Sequence, residues 1–186
     1  MNKEELRLYM REKRRALESL EIESKSAVIE ERLFGIKEFL AAKTVMSYIS
    51  SFKEVSTIAI VNRLFNEKKH VAVPVSNTAD ETITVSYINS LSELSNGAYG
   101  IKEPSVINEC NILDIDVILV PGLAFDIKGR RMGFGKGYYD KLLSKVSALK
   151  IGLCYDFQLL NNIPNDKHDI PMDIIITEER IIKNAF

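Results

Sequence analysis

Lys136 sits in the run Gly133-Phe-Gly-Lys-Gly-Tyr-Tyr-Asp140, and a protein core has no use for a cation placed between glycines. Glycine lets the backbone reach positive φ and bring N–H groups close to a ligand, while the ammonium adds a full charge. Upstream, the run extends through Gly129-Arg-Arg-Met132 to Asp126 and to the apolar stretch Val117–Val120, which stops at Pro121-Gly122. Between Asp126 and Lys141, five cations (Lys128, Arg130, Arg131, Lys136, Lys141) outnumber two acids (Asp126, Asp140), a local excess of three positive charges. The whole chain carries a net charge of −1, so a focused cationic patch points to a small anion rather than a polyanion. The chemistry that suits it is the binding and neutralisation of phosphate. The pattern is neither GxxxxGK[ST] nor GxGxxG directly after a strand, so by spacing alone an ordinary glycine turn is an equal alternative.

Asp140 reads in two ways. In the first turn of the helix expected from Tyr138 to Leu149 it complements the helix dipole, or it holds Mg²⁺ beside phosphates, since that ion takes one or two carboxylates plus phosphate oxygens. Asp169 and Asp173, in His168-Asp-Ile-Pro-Met-Asp173, are candidates for a second carboxylate. Glu54 follows a strand exit and, taken alone, reads as a surface acid. His70 and His168 form no HExxH pattern, and no GxSxG or Cys–His signature stands out, so neither zinc nor covalent catalysis is indicated.

These residues need elements to position them. At 186 residues, 46% hydrophobic and 27% charged, the chain is expected to form one domain over residues 1–186. Its apolar runs are far shorter than the ~20 residues of a membrane span. The opening MNKEELRLYMREKRR has no signal-peptide apolar segment, so a cytoplasmic protein is expected. Cys110 and Cys154 show no metal-ligand spacing and read as unpaired small hydrophobes.

Residues 3–20 predict a helix with Leu6, Met10, Leu17 and Leu20 on its apolar face and a basic stripe of Lys3, Arg7, Arg11 and Arg14. Ser24 or Ser26 can cap a second helix to about Leu40, with Val28, Ile29, Leu33, Ile36, Phe39 and Leu40 inward. Thr57 starts a third, with Ile58, Val61, Leu64 and Phe65 as its apolar positions. Strands are expected at 44–49, 71–75, 82–88 (near an edge), 117–120 (central), 151–154, 174–177 and 181–182, with 90–109 irregular. Apolar strands alternating with amphipathic helices imply a mainly parallel sheet covered on both faces, with a ligand site beyond the carboxyl ends of the strands. Three segments fall there: 50–56, 121–137 and 156–173.

The segment Pro121–Asp140, PGLAFDIKGRRMGFGKGYYD, resembles the signature of the 5-formyltetrahydrofolate cyclo-ligase family. Lys3…Arg7, Glu54-Val-Ser-Thr57, Tyr99-Gly-Ile-Lys-Glu-Pro104 and His168-Asp169 with Asp173 match in order, so the resemblance covers essentially the whole chain. It implies a three-layer α/β/α Rossmann-like sandwich, similar to the sugar-phosphate isomerase and CoA-transferase group. It also implies ATP- and Mg²⁺-dependent conversion of 5-formyltetrahydrofolate to 5,10-methenyltetrahydrofolate, ADP and phosphate. On that resemblance Lys3 and Arg7 contact ATP phosphates, and Arg131, Met132, Gly133, Phe134, Gly135, Lys136, Gly137, Tyr138 and Tyr139 form the nucleotide loop. Arg131, Lys136 and Tyr138 are the expected catalytic groups, Asp140 and Asp169 the Mg²⁺ ligands. Ile49 and Glu54 line the folate site, and Gly135, Lys136, Gly137 and Tyr138 lie where the two substrates meet. Met132 stands where the family usually has leucine, and Phe134 where some members have a basic residue. The expected partners are small molecules, including polyglutamylated folate, with no nucleic acid or membrane, and the expected state is a monomer. The alternatives are a sugar-phosphate or CoA-ester enzyme, which needs no ATP, and a regulator that binds nucleotide or folate without turnover.

Overall fold

Alternation with a period of two decides how the central sheet is buried. In the computed structural model, which describes residues 1–166 and 169–184, successive side chains of each inner strand enter opposite cores. Val45, Val71, Val117, Leu119, Ile151, Ile174 and Ile176 face one core, and Met46, Ala72, Ile118, Val120 and Ile175 the other. Strands buried on both faces are the mark of a parallel sheet between helical layers.

The strands in chain order are β1 (Thr44–Met46), β2 (His70–Asn77), β3 (Thr82–Ile88), β4 (Leu94–Asn96), β5 (Lys102–Pro104), β6 (Val117–Val120), β7 (Ala124–Asp126), β8 (Arg131–Met132), β9 (Leu149–Leu153), β10 (Leu159–Leu160), β11 (Ile174–Ile176) and β12 (Ile181–Lys183). The main sheet has the order β12-β11-β9-β6-β1-β2-β3. The five inner strands run parallel, and β12 and β3 pair antiparallel at the two edges. After β1 the chain builds outward through β2 and β3, then returns to the other side of β1 for β6, β9 and β11. That reversal opens a crevice beyond the ends of β1 and β6, where ligands of open α/β sheets bind. The expected α/β sandwich, with a central β6 and an edge β3, is the observed one.

Several boundaries differ from expectation. The first helix, α1 (Lys3–Arg15), is capped by Asn2, whose side chain accepts from the Glu4 and Glu5 N–H groups while Glu5 accepts from the Asn2 N–H. It ends five residues before Leu20 because Lys53 donates to the Arg15 and Leu17 carbonyls; Leu20 is 75% exposed. The second helix, α2 (Ser19–Leu33), starts at Ser19 rather than at Ser24 or Ser26, with Glu21 accepting from the Glu18 N–H; Ser26 lies buried inside it. A separate short helix, α3 (Lys37–Ala41), carries Phe39 inward and leaves Leu40 exposed, as Val28 is on α2. Helix α4 (Ile58–Asn66) follows Thr57 as expected, but buries Ile60 with Val61 and Leu64 and turns Ile58 outward. Helix α5 (Tyr138–Leu143) is half the expected length, because Leu149 already belongs to β9.

The stretch 121–137, read as one loop, contains β7 and β8. With β10 they form a second sheet of order β10-β7-β8. Leu6 and Met10 of α1 pack with Ala124 and Met132 of this sheet and with Leu123 just before β7, so the N-terminal helix is held over the hairpin that leads into the glycine run. Both cysteines are buried and free. Among the described residues no helix is long and apolar enough to cross a membrane.

Candidate active site

The crevice beyond β1 and β6 widens into a cavity of about 490 Å³. The residues that the family resemblance assigns to binding or reaction line it: Lys3, Arg7, Ile49, Glu54, Asp140, Asp169 and the whole run Arg131–Tyr139. Each reaches it by a different route. Ile49 and Glu54 follow β1, Pro121 follows β6, Lys3 and Arg7 project from α1, and the glycine run joins β8 to α5.

The glycine run bends where only glycine bends easily. Gly135 has φ +107° and lies against Arg7, whose guanidinium carbon would stand 3.5 Å from an added Cβ; Gly137 has φ +71° and opens α5. Arg7 fixes the run from the other side, its Nε donating to the Gly133 carbonyl at 3.2 Å. Asp126, wholly buried, holds the base of the hairpin by accepting from the Lys128, Arg130 and Ile163 N–H groups. Its partner Arg130 also bonds Asn162, and Lys141 donates to the Asp80 and Glu81 carbonyls. Of the five cations counted along this stretch, Arg131 and Lys136 therefore reach the cavity, whereas Lys128, Arg130 and Lys141 do not. The positive wall is completed instead by the α1 stripe, including Arg11.

Cations and acids are already paired across the site. Arg131 Nη2 bonds Asp140 Oδ2 at 2.9 Å, while its buried Nε has no hydrogen-bond partner among the described residues. Asp140 thus answers a guanidinium, and a six-residue helix contributes little macrodipole to it. Lys3 Nζ bonds Asp166 at 2.6 Å and Asp169 at 3.2 Å. Burial opposes the charge of Lys3, but these carboxylates outweigh it and raise its pKa. Lys136 Nζ donates to Tyr99 Oη at 2.7 Å, and the Tyr99 and Tyr138 hydroxyls lie 3.3 Å apart. The Lys136 bond lowers the pKa of Tyr99, and the neighbouring Tyr99 pushes Tyr138 up to about 12.

Glu54 is not the surface acid its sequence context suggests; it is 9% exposed. Its Oε2 accepts from the Ser51 N–H at 3.0 Å, and its Oε1 stands 3.8 Å from Arg14 Nη1. Burial raises its pKa, against the opposing pull of Arg14 and Ser51. Asp173 goes elsewhere: it pairs with Lys150 at 2.9 Å and accepts the Lys150 N–H, which ties β11 to β9. His168 lies outside the described residues. Among the described residues no group of three or more His, Cys, Asp or Glu side chains converges as a metal site.

Sequence reasoning did not assign the cavity residues Arg11, Tyr48, Tyr99, Lys102 and Glu103. The basic spacing of α1 pointed to Arg11, and the segment Tyr99–Pro104 held three of the others. Tyr48 carried no signal beyond its place beside Ile49.

The model of the 5-formyltetrahydrofolate cyclo-ligase family matches residues 1–178. The 5-formyltetrahydrofolate cyclo-ligase of Saccharomyces cerevisiae is 32% identical over 198 residues, covering 91% of this chain and 93% of that one. That of Escherichia coli K12 is 28% identical over 179 residues, covering 92% and 98%. Among solved structures, the 5,10-methenyltetrahydrofolate synthetase of Aquifex aeolicus superposes with a TM-score of 0.89 at 35% identity, covering all of this chain and 94% of that one. With the match running from α1 through the glycine run to β11, this chain belongs to the 5-formyltetrahydrofolate cyclo-ligase family.

Proposed function

We propose that the cavity converts 5-formyltetrahydrofolate to 5,10-methenyltetrahydrofolate with ATP as the co-substrate, releasing ADP and phosphate. The observation that supports this most is the meeting, in one cavity, of a cation-lined glycine run with the acid Glu54 on the opposite wall. A nucleotide triphosphate suits the first wall. The second suits a pterin, whose ring N–H donors need an acceptor.

A formamide carbon is weakly electrophilic and its oxygen leaves poorly. Transfer of the γ-phosphoryl group to the formyl oxygen gives ADP and an iminium phosphate. N10 then attacks the same carbon and loses its proton, and expulsion of phosphate leaves the cyclic methenyl cation. Phosphoryl transfer depends on positioning and charge neutralisation, which Lys136, Arg131, Lys3 and Arg7 supply. Tyr138 and the backbone of Gly133, Gly135 and Gly137 bring the reacting groups together. Glu54 orients the pterin from beside Ile49.

Asp140 and Asp169 fit a Mg²⁺ ion: both line the cavity, both offer carboxylate oxygens, and each already faces a cation of the phosphate wall. Bound there, Mg²⁺ supplies further neutralisation of phosphate charge. We read the chain as acting in the cytoplasm, as a single domain and as a monomer, on folates including polyglutamylated forms.

The test is the absorbance of the methenyl product in a mixture of enzyme, 5-formyltetrahydrofolate, ATP and Mg²⁺, with each component omitted in turn. Product is expected from the complete mixture alone. Product without ATP, or none from the complete mixture, overturns the reading.

A further inference from the structure

Arg14 stands behind the site rather than in it. Its side chain is 4% exposed and does not line the cavity, and its Nη1 has no hydrogen-bond partner among the described residues. The 3.8 Å to Glu54 Oε1 is an ion-pair distance, too long for a hydrogen bond. A buried ion pair recovers its desolvation cost only when the geometry is good, so stability does not account for this one. Burial lowers the pKa of Arg14 as it raises that of Glu54.

The same guanidinium touches the opposite wall. Its carbon lies 5.5 Å from the centroid of the Phe134 ring, and Arg11 lies 5.6 Å from that ring, both within the range of cation–π attraction. Phe134 belongs to the glycine run, and Arg7 anchors the same run one residue earlier. The Glu54 loop is tied to the end of α1 as well. Lys53 donates to Arg15 and Leu17, and Phe52 and Lys53 hold left-handed φ values of +49° and +59° to permit it. Among the described residues, the phenols of Tyr48, Tyr139 and Tyr155 also feel Glu54, and all three are shifted upward and neutral at pH 7. Among the described residues, Arg14 is the cation at ion-pair distance from Glu54; Lys3, Arg7, Arg11, Arg131 and Lys136 share the cavity with it without pairing to it.

We propose that Arg14 is a positioning residue that holds Glu54 ionised and oriented, and that Phe134 sets the place of Arg14, so that the order of the glycine run is transmitted to the folate wall. This rests on the reading of Glu54 as the acceptor for the pterin. Phe134 then acts through Arg14 rather than by touching folate.

The test combines a double-mutant cycle with a direct titration of Glu54. Arg14→Met should raise KM for 5-formyltetrahydrofolate about tenfold, the loss of one charge-assisted orienting contact, and leave KM for ATP within about twofold. Phe134→Leu should shift the same KM in the same direction by a smaller factor, and this shift should vanish in the Arg14→Met background. Arg14→Lys keeps a charge without the flat face, and should fall between wild type and Arg14→Met; it serves if the methionine variant does not fold. The carboxyl resonance of Glu54, followed by ¹³C NMR against pH, should titrate at higher pH in Arg14→Met and, by less, in Phe134→Leu. An unmoved titration, or additive effects of the two substitutions, overturns the proposal. A titration that moves while KM does not leaves the positioning intact and overturns the assignment of Glu54 to the pterin.

Discussion

Lys136 contributes little to the fold from its position. Its ammonium is exposed and bonds Tyr99 alone among the described residues, a contact an arriving phosphate can replace. Lys136→Ala should therefore lower turnover by about 10²–10³-fold, the usual effect of removing one preorganised electrostatic contact. Its thermal midpoint should stay within about 2 °C of wild type, because exposed polar contacts add little stability. Steady-state rates and a melting curve check both halves; wild-type turnover, or an unfolded variant, sinks the assignment. Asp126 is the converse. Asp126→Ala strands three backbone N–H groups at the base of the hairpin and should cost about 3 kcal/mol in urea unfolding. At this scale the sequence was informative where chemistry is local: the spacing of Gly135, Lys136, Gly137 and Asp140 marked the anion wall. Read from their own context, Glu54 was a surface acid and Arg14 one cation of a solvated stripe, because their burial is made by segments 40 residues apart that meet only in the fold; the family resemblance alone placed Glu54 in the site.

At the scale of elements, β11 and β12 are held to the end of β9 by one polar knot. Asp156 accepts two bonds from Arg180, at 2.7 and 2.8 Å, and one from Thr177 at 2.8 Å. The Arg180 bonds hold the Asp156 carboxyl below its ordinary value of 3.8. A carboxyl with a depressed folded pKa contributes stability above its unfolded pKa, and that contribution is lost as pH falls through the lower folded value. Asp156→Asn should thus cost about 1 kcal/mol at pH 7, a modest figure because Arg180 is half exposed. The difference from wild type should close as pH drops below about 3.8. Urea unfolding at pH 7 and at pH 3 measures it, and an equal difference at both would refute the account. Such knots explain where element boundaries were misread. The apolar periodicity of α1 runs on into Leu17, and nothing near Arg15 signals a stop; the stop is Lys53, which reaches across from the β1 exit. Likewise β7 and β8 are short strands whose pairing depends on Asp126 and α1, so a glycine-rich stretch gave no periodicity to read.

For the whole molecule, the unbroken apolar run Val117–Val120 among amphipathic helices was legible in sequence, and with it the central strand and the crevice beside it; its split between two cores is seen in the fold. What sequence could not show is that α1 closes this crevice, packed on β7 and β8 through Leu6 and Met10 and bonded to the glycine run through Arg7. The cavity therefore joins the first residues of the chain, the β1 exit and the middle of the chain, and a ligand filling it should bind those parts together. At ~100 times its Kd, a nucleotide bound to the folded state alone adds ~2.7 kcal/mol. For a chain of this size that is a rise in thermal midpoint of about 5–10 °C. A non-hydrolysable ATP analogue with Mg²⁺ should give this shift, and 5-formyltetrahydrofolate added after it should raise the midpoint again. Hydrogen exchange should slow in α1 and across 133–137 with the nucleotide, and around Glu54 with the folate. A shift from folate with none from nucleotide would remove the phosphate role from the glycine run, whereas protection spread evenly over the main sheet would mean that α1 is not the element closing the site.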